Sequence, residues 1–302
     1  MAEAVIVAMA RSAIGRANKG SLVEMRPDDL LAQMVSAALA QVPQLNPRDI
    51  DDLMVGTSSP AGESGHNIAR VVAVLLGMDH LPGVTVNRYC SSSLQTTRMA
   101  LHAIRAGEGE IFVSGGVETV SRYHHGTADF MPNTANPKFT SALARTRTRA
   151  EDSAAWIDPR QIGELPDIYI AMGQTAENVA ESLGISRAEQ DEFAVRSQVR
   201  AQTAIENGFW AQDITPVTLP NGSVVSQDDG PRPNVTLAAV AQLQPVFRPG
   251  GTVTAGNCCP LNDGAAALVI MSDTAAERLG ITPLARIVAT GVSALSPEVM
   301  LK

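Results

Sequence analysis

The first 120 residues alternate between short apolar runs and segments with helical spacing, and this alternation restricts the possible folds more than any other feature. The apolar runs begin at Val5, Leu53, Val84 and Ile111. Residues 28–39, 68–76 and 91–104 have helical spacing between these runs. Strands separated by such helices predict an α/β fold with a mostly parallel sheet covered by helices. The apolar run at 265–271 predicts a later strand that completes the same sheet.

The composition excludes several classes of protein. With 45% apolar and 18% charged residues the chain has a globular composition. Its formal net charge of −8 argues against a nucleic-acid partner, which requires a basic face. The apolar runs are too short to span a bilayer. The acidic Glu3 stands before the first apolar run, whereas a signal peptide has basic residues at that place. We therefore expect no membrane partner and a cytoplasmic location.

From Ser121 to about Gly251 the alternation stops. Two helices are predicted there, over 172–183 and 186–207, and Ser186 with Glu189 has the spacing of a capping box. An insertion of this length with its own helices predicts a separate lobe rather than a linker. A new strand–helix series begins near Pro283 and is unfinished at residue 302, so we expect the chain to end within a domain.

The three cysteines, Cys90, Cys258 and Cys259, cannot form a disulfide framework, and no zinc-ligand spacing is present, so we expect no metal. Cys90 lies between the predicted strand at 84–86 and the predicted helix at 91–104. The unpaired N–H groups and dipole at a helix start favour a thiolate, which is the nucleophilic form. By position alone, a buried core cysteine fits as well as a nucleophile.

Four segments, in order, resemble motifs of the thiolase family. They are Asn87–Gln95 around Cys90, Gly115–Thr119, Met172–Asn178, and Gly251–Asn257 running into Asn262–Ala267. The first has the family's asparagine three residues before the cysteine and its glutamine five residues after. The resemblance implies the layered αβαβα thiolase fold, in which two similar halves meet and the first half carries an inserted loop domain.

On this resemblance the first half is complete and the second is only begun. Residues 1–119 and 252–272 are expected to form the first half, 120–251 the inserted loop domain that binds coenzyme A, and 273–302 the start of the second half.

The resemblance also implies an acyl-CoA C-acyltransferase. In thiolases the cysteine matching Cys90 attacks a 3-ketoacyl-CoA, acetyl-CoA leaves, and a second coenzyme A removes the acyl group from sulfur. The reverse direction is a Claisen condensation. The N–H of Cys90 is expected to donate to the oxyanion. Coenzyme A and acyl-CoA are substrates, no cofactor is bound permanently, and the family, which includes enzymes of fatty-acid β-oxidation, forms homodimers or homotetramers.

Four residues match family contacts to coenzyme A. Arg232 matches an arginine near the nucleotide end, Met172 a methionine lining the pantetheine channel, and Ala255 and Cys259 the loop beside the pantetheine. Cys259 replaces a serine, and a thiol is a weaker donor. Ala239 replaces another serine at the coenzyme.

Ala171 stands where short-chain biosynthetic members have histidine, which favours the degradative type that accepts a broader range of chains. These residues decide neither the acyl chain length nor the direction of the reaction.

The family's Gly-His-Pro histidine, its Asn-Glu-Ala-Phe asparagine and its second catalytic cysteine have no match before residue 302. His102 shares the helix after Cys90 but lies several turns away from it. We therefore expect the 302-residue chain to have little turnover and, with an exposed apolar face, to be poorly soluble alone.

Two other functions fit part of the pattern. A ketosynthase-like condensing enzyme also uses a Cys-Ser-Ser-Ser nucleophile, but it lacks the segments at 172–178 and 262–267 as they stand here. A non-catalytic acyl-CoA-binding or assembly subunit would retain coenzyme A binding without chemistry at Cys90.

Overall fold

The computed structural model describes residues 2–126, 134–152 and 154–300. The strands are β1 Ala4–Arg11, β2 Gly15–Arg16, β3 Asp52–Gly56, β4 Gly83–Val86, β5 Ile111–Thr119, β6 Val217–Thr218, β7 Val224–Val225, β8 Asn262–Ser272 and β9 Ala285–Arg286. The α-helices are α1 Pro27–Ala40, α2 Ile68–Leu75, α3 Ser92–Ala106, α4 Thr140–Asp152, α5 Met172–Leu183, α6 Arg187–Glu206, α7 Phe209–Asp213, α8 Leu237–Ala241 and α9 Asp273–Leu279.

The chain forms two compact units. The first comprises residues 1–131, 208–230 and 261–290, and the second comprises 132–207, 231–260 and 291–302. Segment 208–230, which the sequence placed in the inserted loop domain, is thus part of the first unit.

Ion pairs and hydrogen bonds explain the place of segment 208–230. Arg11 of β1 forms ion pairs with Asp213 and Asp228. The N–H of Ile14 donates to Asp228 at 2.8 Å, and the N–H of Arg16 donates to Asp229 at 2.9 Å. These contacts attach the segment to the beginning of the chain.

One mixed sheet organises the first unit. Its strand order is β4-β3-β5-β8-β1-β9, and β2 pairs with β8. Among the described strands of this sheet, the parallel pairings are those of β3 with β4 and with β5, whereas β8 pairs antiparallel with both β5 and β1, and β9 pairs antiparallel with β1. The prediction of a mostly parallel sheet is therefore wrong. Helical crossovers impose parallel pairing on β3, β4 and β5, but β8 follows a long excursion that leaves its direction open.

The predicted strand at 265–271 is confirmed, because β8 pairs along its length with β5 and β1 and so completes the sheet.

Each face of the sheet carries an apolar cluster. Leu53 and Val55 of β3 belong to the cluster that includes α1 and α2, whereas Met54 between them packs with α3 on the opposite face. This alternation is the two-residue period of a strand buried on both sides. It fixes α3 against β3 and β5, and α3 begins at Ser92, two residues after Cys90.

The second unit contains α4, α5, α6 and α8. The predicted capping box is confirmed, because the Ser186 hydroxyl accepts from the N–H of Glu189 and the Glu189 carboxylate accepts from the N–H of Ser186 at 2.8 Å. Within the described part of the chain, no helix has both the length and the apolar character needed to cross a membrane.

Candidate active site

Cys90 lies in the turn that connects β4 to α3, and its side chain is exposed. An exposed thiol is not the packed core cysteine that its position in the sequence also allowed. The preceding residue, Tyr89, has a φ of +46°, which residues other than glycine rarely adopt. Its N–H donates to Oδ1 of Asn87 at 2.7 Å, a local bond that supports this conformation. Such sparsely populated backbone conformations cluster at functional sites.

Ser92, the first residue of α3, ties the turn to the helix. Its hydroxyl accepts from the N–H of Arg88 at 2.7 Å and donates to the carbonyl of Tyr89 at 2.6 Å. Only 3% of Ser92 is exposed, so water competes little for these bonds. The sequence showed Ser92 only as one of three small residues after Cys90. Its two hydrogen bonds to the turn depend on the folded backbone.

Two glycines of neighbouring strands allow α3 to begin close to the sheet. A Cβ at Gly56, the last residue of β3, would lie 2.4 Å from the backbone of Ser92 and Ser93. A Cβ at Gly116 of β5 would lie 2.6 Å from Cβ of Ser93. Glycine therefore permits a helix–strand approach that any other residue would block. The approach places Cys90 beside the carboxyl ends of the parallel strands, where α/β sheets commonly bind ligands.

A carboxylate at the end of β5 contacts the loop that follows β3. Glu118 accepts a hydrogen bond from the N–H of Ser58 at 2.8 Å and another from the hydroxyl of Tyr123 at 2.6 Å. The carbonyl of Ser58 in turn accepts from Nδ2 of Asn87 at 2.9 Å. The sequence contained Glu118 and Asn87 in recognised motifs but gave no sign that Ser58 connects them.

The residues predicted to contact coenzyme A lie in the second unit, whereas Cys90 lies in the first. Arg232, Met172, Ala255 and Cys259 are all exposed. Met172 is the first residue of α5, and the N–H of Arg232 donates to Oε1 of Gln198 at 2.9 Å.

The loop that carries Ala255 is held from two sides. The buried carboxylate of Glu177 accepts from the N–H of Thr252 at 2.9 Å and from the N–H of Val253 at 2.8 Å. Nδ2 of Asn257 donates to Asp191 at 2.9 Å. Glu177 lies in the segment 172–178 that carries the family resemblance, and its position in the fold gives it this anchoring role.

The remaining candidate groups do not form a second reactive centre among the described residues. Partial burial raises the pKa of the Cys258 thiol, and the adjacent Cys259 adds to the rise, so Cys258 is kept protonated. His102 is exposed on α3. Over the described ranges, no group of three or more His, Cys, Asp or Glu residues is arranged to hold a metal ion.

Comparison with known proteins identifies relatives along almost the whole chain. A family model described as the thiolase N-terminal domain matches residues 4–274. The chain is 40% identical to a beta-ketoadipyl-CoA thiolase of Pseudomonas aeruginosa, over 99% of this chain and 73% of that protein. It is 37% identical to a 3-ketoacyl-CoA thiolase of Bacillus subtilis, again over 99% and 73% of the two chains.

Solved structures give the same result. The crystal structure of the Bacillus anthracis acetyl-CoA acetyltransferase matches with a TM-score of 0.81 at 34% identity, covering 99% of this chain and 73% of that one. The dimeric peroxisomal thiolase of Saccharomyces cerevisiae matches with a TM-score of 0.85 at 28% identity, covering 98% and 71%.

Proposed function

The chain belongs to the thiolase family of acyl-CoA C-acyltransferases, and we propose that Cys90 is the nucleophile that carries the acyl group. The observation that supports this most directly is the exposed thiol in the left-handed turn before α3. The N–H groups of the first helical turn lack partners within the helix, and with the helix dipole they stabilise a thiolate beside them. The two hydrogen bonds of the Ser92 hydroxyl hold the turn beside the start of α3.

The proposed reaction proceeds through a thioester. The Cys90 thiolate attacks the keto carbon of a 3-ketoacyl-CoA, and the bond between C2 and C3 breaks. Its electron pair stays on C2, which takes a proton to give acetyl-CoA, while the acyl group remains on Sγ. The thiol of a second coenzyme A then attacks this thioester, releases the shortened acyl-CoA and restores the thiolate. The N–H of Cys90 is one donor to the oxyanion.

We also propose that the second unit binds coenzyme A, with Arg232 contacting phosphate at the nucleotide end. Met172, Ala255 and Cys259 would line the pantetheine. The exposure of all four residues supports this proposal. The anchoring of the loop at 252–257 by Glu177 and Asp191 supports it as well, because a fixed loop reduces the entropy lost on binding.

The direction proposed is degradative thiolysis of 3-ketoacyl-CoA. Ala171, in place of the histidine of short-chain biosynthetic members, favours it. Two relatives named as beta-ketoadipyl-CoA and 3-ketoacyl-CoA thiolases are consistent with it. We further propose a cytoplasmic homodimer or homotetramer without a permanently bound cofactor, and the yeast structure that this chain resembles is described as dimeric.

Intact-protein mass spectrometry after incubation with a 3-ketoacyl-CoA tests the role of Cys90. The expected result is one acyl adduct on the unsubstituted chain and none on Cys90→Ala. Cys258→Ala is the matched control that should keep the adduct, since Cys258 is also an exposed thiol. An adduct that persists in Cys90→Ala, or none on the folded unsubstituted chain, would contradict the proposal.

Calorimetric titration with coenzyme A tests the role of Arg232. Loss of a charge-assisted contact to phosphate should weaken binding about 10-fold in Arg232→Ala, and the difference should shrink as salt is raised. Arg278→Ala is the control, because Arg278 pairs with Glu110 in the first unit. Equal affinity of Arg232→Ala and the unsubstituted chain would remove Arg232 from the site.

A further inference from the structure

A series of hydrogen bonds runs from the carboxylate of Glu118 to the turn that carries Cys90. Glu118 accepts from the N–H of Ser58 at 2.8 Å, the carbonyl of Ser58 accepts from Nδ2 of Asn87 at 2.9 Å, and Oδ1 of Asn87 accepts from the N–H of Tyr89 at 2.7 Å. We propose that Glu118 is a positioning residue that fixes Cys90 through Ser58 and Asn87. This inference rests on the proposed role of Cys90 as the nucleophile.

Glu118 is well suited to fix a loop. It lies near the end of β5, on a rigid element, and is half-buried. Its Oε1 accepts from the hydroxyls of Tyr123 at 2.6 Å and Thr57 at 3.3 Å, which leaves Oε2 directed at Ser58. Hydrogen bonds to a carboxylate are shorter and about twice as strong as neutral ones. The loop after β3 is therefore attached to Glu118 of β5 in two ways, through the side chain of Thr57 and through the backbone N–H of Ser58.

Asn87 carries this constraint across to the nucleophile turn. Its amide uses one end to bind the loop and the other end to bind Tyr89, whose φ of +46° needs local support. Ser92 holds the same turn from the side of α3. The two attachments together determine where the thiol lies relative to the helix start. Without Glu118 the amide of Asn87 would be bound to a loop that can move.

The charge of Glu118 and its position have opposite expected effects on Cys90. A negative charge in the neighbourhood disfavours a thiolate, so its removal alone would make Cys90 more reactive. Loss of positioning would instead move the thiol away from the N–H groups of α3 and make it less reactive. Two conservative variants separate these effects. Glu118→Gln removes the charge. Its amide oxygen can still accept from Ser58, because the amide NH2 can donate to a hydroxyl such as that of Tyr123. Glu118→Asp keeps the charge and withdraws the carboxylate by one methylene.

The assay is the rate of alkylation of Cys90 by iodoacetamide, followed by peptide mass spectrometry between pH 6 and 10. Cys258 and Cys259 of the same molecules, whose thiols are also exposed, provide an internal reference for the amount of protein and the activity of the reagent. Glu110→Gln is the matched control. Glu110 lies just before β5 and pairs with Arg278, and it takes no part in the hydrogen bonds described here between Glu118 and the Cys90 turn.

Glu118→Asp should lower the Cys90 rate at pH 7 about 10-fold, the equivalent of one hydrogen bond to a charged group, and raise the pH of half-maximal rate. Glu118→Gln should stay within about 3-fold of the unsubstituted chain, and rates at Cys258 and Cys259 should not change. If both Glu118 variants leave Cys90 unchanged, or if Glu118→Gln accelerates it while Glu118→Asp does not slow it, the inference is overturned.

A double substitution tests the route. If Glu118 acts through Asn87, then Asn87→Ala combined with Glu118→Asp should be no slower than Asn87→Ala alone. Rate losses that multiply would overturn the proposed route.

The same data distinguish the two proposals. In the unsubstituted chain, a Cys90 rate no higher than that of Cys258 would reject both the activated nucleophile and its positioning. A fast Cys90 that is insensitive to Glu118→Asp would reject the positioning role alone.

Discussion

The contact between Gly56 and the start of α3 predicts a large effect of a single methyl group. In Gly56→Ala the new Cβ would lie 2.4 Å from the carbonyl carbon of Ser92 and from the nitrogen of Ser93. Ordinary contact begins at 3.4 Å, so the helix start must retreat by about 1 Å. Both obstructing atoms belong to the backbone, and no side chain can rotate to relieve the overlap.

The expected magnitude has two parts. Inserting a methyl group into a well-packed interface destabilises a protein by about 1–3 kcal/mol. A displacement of about 1 Å at a reactive group can reduce its rate by up to about 100-fold. Because Ser92 and Ser93 lie two and three residues after Cys90, we expect alkylation of Cys90 in Gly56→Ala to slow by about 10-fold to 100-fold.

Urea denaturation and the Cys90 alkylation rate measure the two parts separately. Gly230→Ala is the control, because a Cβ at Gly230 meets nothing within 4 Å. Alanine at such an open position should stabilise the chain by about 0.4–1 kcal/mol through the unfolded state, the opposite sign to Gly56→Ala. A Gly56→Ala variant with unchanged stability and unchanged Cys90 reactivity would refute the argument that this close approach positions the thiol.

Two further predictions concern stability. The ion pair with Arg122 holds the pKa of Glu63 below its usual range, so its stabilisation is complete above the unfolded-state pKa and is lost as the pH falls through the lower folded-state value. Glu63→Gln should therefore reduce the free energy of unfolding by about 1–2 kcal/mol at pH 7 and flatten its decline below about pH 5 in urea titrations; a parallel acid limb would contradict this. Ser186→Ala removes the hydroxyl side of the capping box of α6, because the N–H of residue 186 can still donate to Glu189, and should lower the free energy of unfolding by about 1 kcal/mol, whereas Ser182→Ala, which loses only a bond to a carbonyl within α5, should have a smaller effect.

The local features of the site could be read from the sequence. The position of Cys90 between a strand and a helix followed from a change of hydrophobic period, and the capping box at Ser186 followed from a three-residue spacing. The family resemblance extended this reading to the reaction and to Arg232. These features depend on neighbours a few residues apart, whose geometry is set by backbone dihedrals and periodicity.

The connection of Glu118 to Cys90 could not be read in this way. Ser58 and Asn87 are 29 residues apart, and Ser58 and Glu118 are 60 residues apart. They meet only because β3 pairs with both β4 and β5. The roles of Ser92 in the turn and of Gly56 against the start of α3 likewise cannot be recognised in the sequence, because they depend on the packing of α3 on the sheet.

The sequence by itself determined the alternation of strands and helices over the first 120 residues, the family, and Cys90 as the proposed nucleophile. The tertiary structure decided the direction of β8, the place of segment 208–230 beside β1, and the bonds that hold the Cys90 turn. The physical reason is that local patterns reflect conformational preferences of short segments. Strand partners and buried polar contacts are chosen by the free energy of the whole fold, in which distant residues compete for the same donors and the same apolar surface.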